Sequence, residues 1–438
     1  MRVLMISDVY FPRVNGVSTS IQTFAREFVG LDHRVTLLAP DYGVESEPEP
    51  FEVIRLPSRY FPFDPEDRII RWGRIRQHHA RLAAAGFDLV HIHTPFIAHY
   101  AGHALARKLG VPVVASYHTF FEQYLAHYVP FVPGAMMRFV ARHFSAAQCG
   151  DVDALAVPSE AMLEVLMRYG VRTQAEIVPT GIDLHKFHRG DGLGFRRHHG
   201  IAPERPLLLY VGRLAFEKNC DFLLRMLVQV RAAVADVLLV VAGEGPARRQ
   251  LEGLARRLGL EENVRFLGYL SRDGSLEGCY AAADALVFAS RTETQGLVLL
   301  ESMALGTPVV ATAAMGTREV LRDGEGCLIA ADDEHDFAAK TIRLLTDADL
   351  KAKLTARARP YAERWSAPAM AERMLGLYAR VCGREDAPAA VPLPSRMQAA
   401  QRTVSAATPV GRQSSDLASD GDDAPTLAEA QPQHSAAR

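Results

Sequence analysis

The chain has 438 residues, with 49 Lys and Arg against 51 Asp and Glu and a formal net charge of -2. Its length allows two domains or three, and its 48% hydrophobic content supplies ample core. The balanced charge argues against nucleic-acid binding through bulk positive charge. Five cysteines, Cys149, Cys220, Cys279, Cys327 and Cys382, form no CxxC pair and read as free thiols of a reducing compartment.

From the N-terminus, Val3–Ser7 reads as a strand whose apolar run is too short for a signal peptide. No run reaches the about 18 apolar residues of a spanning helix. The expected location is therefore the cytoplasm, in solution or peripherally on the inner face of the cytoplasmic membrane. A loop with Pro12, Asn15 and Gly16 comes next, then a helix capped by Ser18 or Thr19 and running to about Val29. Val35–Ala39, Val53–Leu56, Leu89–His93, Val113–Tyr117, Leu155–Pro158 and Glu176–Val178 read as further strands alternating with helical stretches. The pattern breaks after Val178-Pro179-Thr180-Gly181-Ile182-Asp183 and restarts at Leu207–Val211, Val237–Ala242, Val264–Phe266, Ala285–Ala289, Val309–Ala311 and Leu328–Ala330. This predicts two α/β domains with doubly wound, Rossmann-like parallel sheets. The first covers residues 1–182, an interdomain segment 183–206, and the second domain 207–365. The tail 384–438, dominated by Ala, Pro, Ser, Gln and Asp without aromatics, is expected to be disordered.

Ligands of open parallel sheets sit at the carboxyl ends of the strands, so the residues just after each strand carry the chemistry. Gly212-Arg213 with Lys218 comes after one strand and suits a diphosphate: Arg offers a planar fork, Lys a mobile point charge. After Ala285–Ala289 comes Glu293-Thr294-Gln295-Gly296-Leu297-Val298, leading to Glu301 in the second helical turn. Gly296 permits close backbone approach, and the amides of Gly296, Leu297 and Val298 at the positive helix end form an anion site. The two glutamates allow a glycosidase pair, a structural role, or hydrogen bonds to ribose and sugar hydroxyls. A glycosidase pair would leave the adjacent cations without an anionic leaving group to bind. No GxGxxG lies after the first strand, which disfavours a nicotinamide enzyme.

Glu293 and Glu301 inside E-T-Q-G-L-V-L-L-E-S-M-A-L-G-T-P-V-V, together with Gly212-Arg213, Lys218, Gly243-Glu244-Gly245-Pro246 and Pro179-Thr180-Gly181-Ile182-Asp183 in this order, resemble the family 4 retaining glycosyltransferases of GT-B fold. The resemblance covers about residues 1–380. It implies two Rossmann-like domains facing a cleft, with residues 366–383 as a helix returning to the first. It also implies that Arg213 and Lys218 hold the donor phosphates, that Glu301 holds the ribose and that Glu293 faces the transferred sugar. Gly16 lies against the donor phosphate and acceptor in resembling proteins, and His118, which ends the strand Val113–Tyr117, matches a histidine beside the donor sugar. The expected reaction is same-face transfer of a hexosyl group, with the leaving phosphate taking the acceptor proton. No obligatory metal or other cofactor is expected. His91 and His93 share one strand face, but no third ligand has suggestive spacing.

Tyr117-His118-Thr119 with Phe121-Glu122-Gln123-Tyr124 and His127-Tyr128, and Glu293-Thr294-Gln295-Gly296, resemble the glycolipid-synthase branch. That branch implies UDP-glucose as donor and diacylglycerol as acceptor. A GDP-mannose-dependent mannosyltransferase acting on a lipid or polysaccharide precursor is the close alternative; a sugar-nucleotide epimerase or a non-catalytic nucleotide-sugar sensor is further away. Two basic apolar stretches, Arg68–Leu82 and Met136–Phe144, suggest a face on anionic lipid.

Overall fold

The computed structural model describes residues 1–44, 48–61, 64–118, 134–271 and 273–384. The motif residues Thr119 to Tyr128 and the tail beyond Arg384 lie outside them.

Two parallel sheets organise the chain. The first contains β1 (Arg2–Ile6), β2 (Arg34–Pro40), β3 (Glu52–Leu56), β6 (Leu89–Ile92), β7 (Val113–Ser116), β8 (Ala154–Val157) and β9 (Ala175–Ile177) in the order β3-β2-β1-β6-β7-β8-β9. The second contains β10 (Leu207–Val211), β11 (Leu238–Ala242), β12 (Val264–Gly268), β13 (Ala285–Phe288), β14 (Val309–Thr312) and β15 (Cys327–Ala330) in the order β12-β11-β10-β13-β14-β15. The central strands are buried on both faces, as Val3 to Ile6 and Leu207 to Tyr210 illustrate. That is why they read as continuous apolar runs instead of alternating ones. Strand order reverses between β1 and β6 and between β10 and β13. At such a switch point the flanking helices diverge and leave a crevice at the carboxyl ends.

Between β3 and β6 lies an antiparallel hairpin, β4 (Ser58–Phe61) with β5 (Asp64–Ile70). It corrects the reading of Arg68–Leu82 as one continuous lipid-facing stretch. Arg68 is on the hairpin, its guanidinium over the Tyr60 ring at 3.6 Å. Only short helices, Trp72–Ile75 and His79–Ala85, come after it. Ile70, Ile75 and Leu82 are buried in the first lobe's core, so its apolar positions face inward.

The chain crosses between the lobes twice, and the crossings touch. Ile182 N–H donates to the Trp365 carbonyl at 2.7 Å, and Ala367 N–H donates to the Ile182 carbonyl at 2.9 Å. After the second crossing, the helix Ala367–Val381 packs on the helix Gly16–Gly30 of the first lobe, with Tyr378 edge-on to Phe28 at 5.6 Å. Buried Arg373 ties it to the sheet through the Ile177 carbonyl (2.6 Å) and Glu176 (3.2 Å). The stretch 183–206 is more than a connector. Its helix Gly192–His198 packs on the helix Ser275–Ala282, and buried Arg196 donates to the carbonyl of Ala282 at 2.9 Å and to Asp284 at 3.3 Å. These contacts make it part of the second lobe.

Candidate functional site

The carboxyl ends of both sheets face one cavity of about 430 Å³. Its walls include Gly16 and His118 from the first lobe and Arg213, Lys218, Glu293, Gly296, Leu297, Val298 and Glu301 from the second. Thus all nine singled-out residues, taken from four strand-to-helix segments and separated by up to 285 positions, meet at one surface.

On the second lobe, the turn after β10 is held by the turn after β11. Gly212 N–H donates to the Ala242 carbonyl at 3.0 Å, and Leu214 N–H to the Glu244 carbonyl at 2.8 Å. The turns are so close that a Cβ on Gly243 would stand 1.9 Å from the Gly212 carbonyl oxygen. This pairing fixes where Arg213 starts. Lys218 Nζ meets Glu293 Oε2 at 2.7 Å, each side chain about one-fifth exposed. Burial works against the Lys218 charge, but Glu293 outweighs it and holds the ammonium above its usual range. Helix Leu297–Ala304 begins behind them with Gly296 at its N-cap (φ 93°), no side-chain cap and no acid in its first turn. Its first amides have no intrahelical acceptors and carry the positive end of the helix dipole. Glu301 is buried and accepts from the Tyr280 hydroxyl at 2.7 Å.

On the first lobe, Asn15 caps the helix Gly16–Gly30 by accepting from Ser18 N–H at 2.8 Å. Gly16 has no positive φ, and a Cβ there would meet no protein atom within 4 Å. Neither backbone conformation nor packing against the protein calls for glycine here, and the space beside it opens on the cavity. His118 lines the cavity from the same lobe, its ring stacked on His93 at 5.9 Å. Burial lowers His118 to about 4, His91 to about 3, and His93 well below its usual range. All three are neutral imidazoles near neutrality. His91 is engaged on both nitrogens, by Ser116 Oγ at 2.9 Å and by the Tyr378 hydroxyl. It is therefore a structural partner of the returning helix and not half of a metal pair.

Several contacts in and around the site escaped the sequence reading. Tyr269, the residue after β12, and Arg13 line the cavity from opposite lobes, Arg13 Nη1 lying 3.5 Å from the Tyr269 hydroxyl. Tyr269 stands at a strand's carboxyl end, where a parallel sheet places its ligand contacts, so its position was the signal that could have found it. Gln295 belongs to the motif, and its carboxamide is bound to the Thr180 backbone. Glu319 reaches across to accept from Ala161 N–H at 2.9 Å, at the start of the helix Glu160–Arg168. Only the fold brings those two together.

The Glycosyltransferase Family 4 model matches residues 14–186, and the model for Glycosyl transferases group 1 matches residues 194–362. An alpha-monoglucosyldiacylglycerol synthase of Streptococcus pneumoniae is 32% identical over 354 residues, 79% of this chain and 78% of that protein. A GDP-mannose-dependent alpha-(1-6)-phosphatidylinositol dimannoside mannosyltransferase of Mycobacterium tuberculosis is 28% identical over 347 residues, 79% of this chain and 87% of that protein. Among solved structures, Anabaena HepE in complex with UDP and glucose superposes with a TM-score of 0.69 at 18% identity, over 87% of this chain and 100% of that one.

Proposed function

Because this chain belongs to the group 1 and family 4 glycosyltransferases and has their two-lobed GT-B fold, we propose that it moves glucose from UDP-glucose onto a hydroxyl of a membrane lipid such as diacylglycerol, with retention. The observation that carries this reading is the convergence of Arg213, Lys218 and an uncapped helix start on the cavity that also holds Glu293, Glu301, Gly16 and His118. In this reading the diphosphate lies between the Gly16 loop and the Gly296 helix start. Arg213, Lys218 and the helix amides stabilise the charge that grows on the leaving phosphate as the anomeric C–O bond breaks. Glu301 receives the ribose hydroxyls, while Glu293 and neutral His118 orient the hexose. The departing phosphate oxygen takes the acceptor's proton, so no side chain serves as nucleophile and no metal or other cofactor is required.

The pneumococcal relative supports a glucosyl donor and a lipid acceptor. The mycobacterial relative supports the second reading, GDP-mannose and an inositol lipid. Membrane docking has a candidate face. On the helix Gly134–Gly150, Met136, Phe139 and Val140 are more than half exposed at i, i+3 and i+4, beside exposed Arg138 and Arg142. Among the described residues no helix is long and apolar enough to cross a membrane. The deciding experiment incubates the protein with UDP-glucose, UDP-galactose or GDP-mannose, with and without diacylglycerol vesicles, and monitors nucleotide release and lipid mass together. Vesicle-dependent release from UDP-glucose with a lipid product one hexose heavier is the expected result. Release from every donor regardless of vesicles would remove the lipid reading.

A further inference from the structure

Gln295 sits two residues after Glu293 and one before Gly296. Its Oε1 accepts from the Thr180 N–H at 2.8 Å, and its Nε2 donates to the Thr180 carbonyl at 2.6 Å. The two bonds fix which end of the carboxamide is oxygen, since a backbone N–H needs an acceptor and a carbonyl needs a donor. Gln295 and Thr180 are both buried, 5% and 4% exposed. Thr180 belongs to the first crossing, two residues before Ile182, which is bonded to the second. Its hydroxyl donates to fully buried Ser20 Oγ at 2.8 Å, one turn inside the helix that Asn15 and Gly16 begin. From its other side the loop is held by Gly316, whose N–H donates to the Glu293 carbonyl at 3.0 Å. A buried hydrogen-bonded chain therefore runs under the cavity from the Glu293–Gly296 loop, through the crossing, to the helix at the Gly16 loop.

We propose that Gln295 is a positioning residue for hexosyl transfer: by clamping both peptide groups of Thr180 it sets the distance between the Glu293–Gly296 loop and the Gly16 loop. The assignment rests on the glycosyltransferase reading of the cavity, whose two walls must hold one donor between them. The carboxamide oxygen and nitrogen are each bonded to backbone, so it acts through the loop it anchors and not on the sugar. No aliphatic side chain can replace it, because the Thr180 N–H and carbonyl would then be buried without partners. An ionised carboxylate fails as well, since it cannot donate to the carbonyl. A protonated carboxylic acid succeeds, having one acceptor and one donor.

This gives a test that a purely structural role would not pass. Gln295→Leu and Gln295→Glu are compared with wild type from about pH 5.5 to about pH 8.5 for donor kcat/KM, with thermal unfolding as a fold control and hydrogen exchange of the Thr180 peptide in the free protein. Gln295→Leu should lose about 10- to 100-fold in kcat/KM at every pH and exchange Thr180 faster. Gln295→Glu should show a similar loss at high pH and recover toward wild type as the pH falls, because burial pushes the introduced carboxyl upward and protonation restores the donor. Thr180 exchange, corrected for its intrinsic pH dependence, should slow in parallel. A Gln295→Leu protein within twofold of wild type, or a Gln295→Glu deficit that does not change with pH, would overturn the proposal. If wild type turns over no nucleotide sugar, the glycosyltransferase reading fails. The exchange measurement then decides the clamp alone: pH-independent Thr180 exchange in Gln295→Glu would overturn it.

Discussion

Glu319 offers a sharp test of how the two lobes are joined. Its Oε1 accepts from Ala161 N–H across the lobes, while its Oε2 is buried with no hydrogen-bond partner. Burial raises the carboxyl from 4.5 to about 7; the Ala161 and Glu160 amides oppose the rise, and the Glu160 and Glu164 carboxylates add to it. Ionising the group in place therefore costs up to ~3 kcal/mol. Linkage sets the sign. A raised carboxyl favours the folded state fully below its ordinary 4.5, and that contribution is lost as pH rises through about 7. In Glu319→Gln the amide carbonyl can still accept from Ala161 but cannot ionise. The variant should therefore gain stability relative to wild type as pH rises from about 5 to about 8. At ~2–4 °C per kcal/mol for a lobe of this size, the gain should reach several degrees in Tm. The variant is the right reference because buried His91, His93 and His118 act in the opposite direction, their depressed values weakening the fold as pH falls below 6.5. Scanning calorimetry of both proteins across that range is the assay. A Tm difference that stays flat with pH, or a variant less stable at about pH 8, would refute the reasoning.

Other consequences are direct. Arg213→Ala and Lys218→Ala should each lower transfer by about 100-fold with an unchanged melting temperature, measured as nucleotide release. A Cβ at Gly16 meets no protein atom within 4 Å, so Gly16→Val should fold normally yet raise donor KM at least about tenfold in steady-state kinetics, by filling the space the donor needs. His118, lowered to about 4 by burial, should leave no inflection near pH 6.5 in the kcat profile. Phe139→Ser should weaken sedimentation with anionic vesicles while leaving donor hydrolysis in solution unchanged.

How much of this was written in the sequence depends on range. The two sheets were legible because buried parallel strands are apolar throughout, and Leu207–Val211 or Leu238–Ala242 admit no other reading once helices flank them. Most cavity residues were legible because they lie between a strand end and the helix after it, and parallel topology gathers the strand ends. The hairpin Ser58–Phe61 with Asp64–Ile70 was missed: its arginines and isoleucines fit a helical wheel as well as a strand, and only packing of Ile70 under the sheet decides. The Gln295–Thr180 and Glu319–Ala161 bonds span 115 and 158 positions. They depend on how two independently patterned lobes face each other, which no local pattern encodes.

A contact within the second lobe also bears on what Glu293 does before any sugar is transferred. Its carboxylate holds Lys218 at 2.7 Å, so a diphosphate approaching Lys218 competes with a charge already paired to it. Glu293→Gln removes that competitor while keeping the size and a hydrogen-bonding end. UDP, which carries the diphosphate and no hexose, should then bind more tightly, by about fivefold for a partly exposed pair of this kind. Transfer should nevertheless fall by about 100-fold, because the group expected to orient the hexose has lost its charge. Titration calorimetry with UDP and turnover with UDP-glucose separate the two effects. Weaker UDP binding in the variant would mean that Glu293 holds Lys218 in position for the phosphate instead of contending for it. The ion pair would then be part of the anion site itself, and the assignment of Glu293 to the sugar would have to be withdrawn.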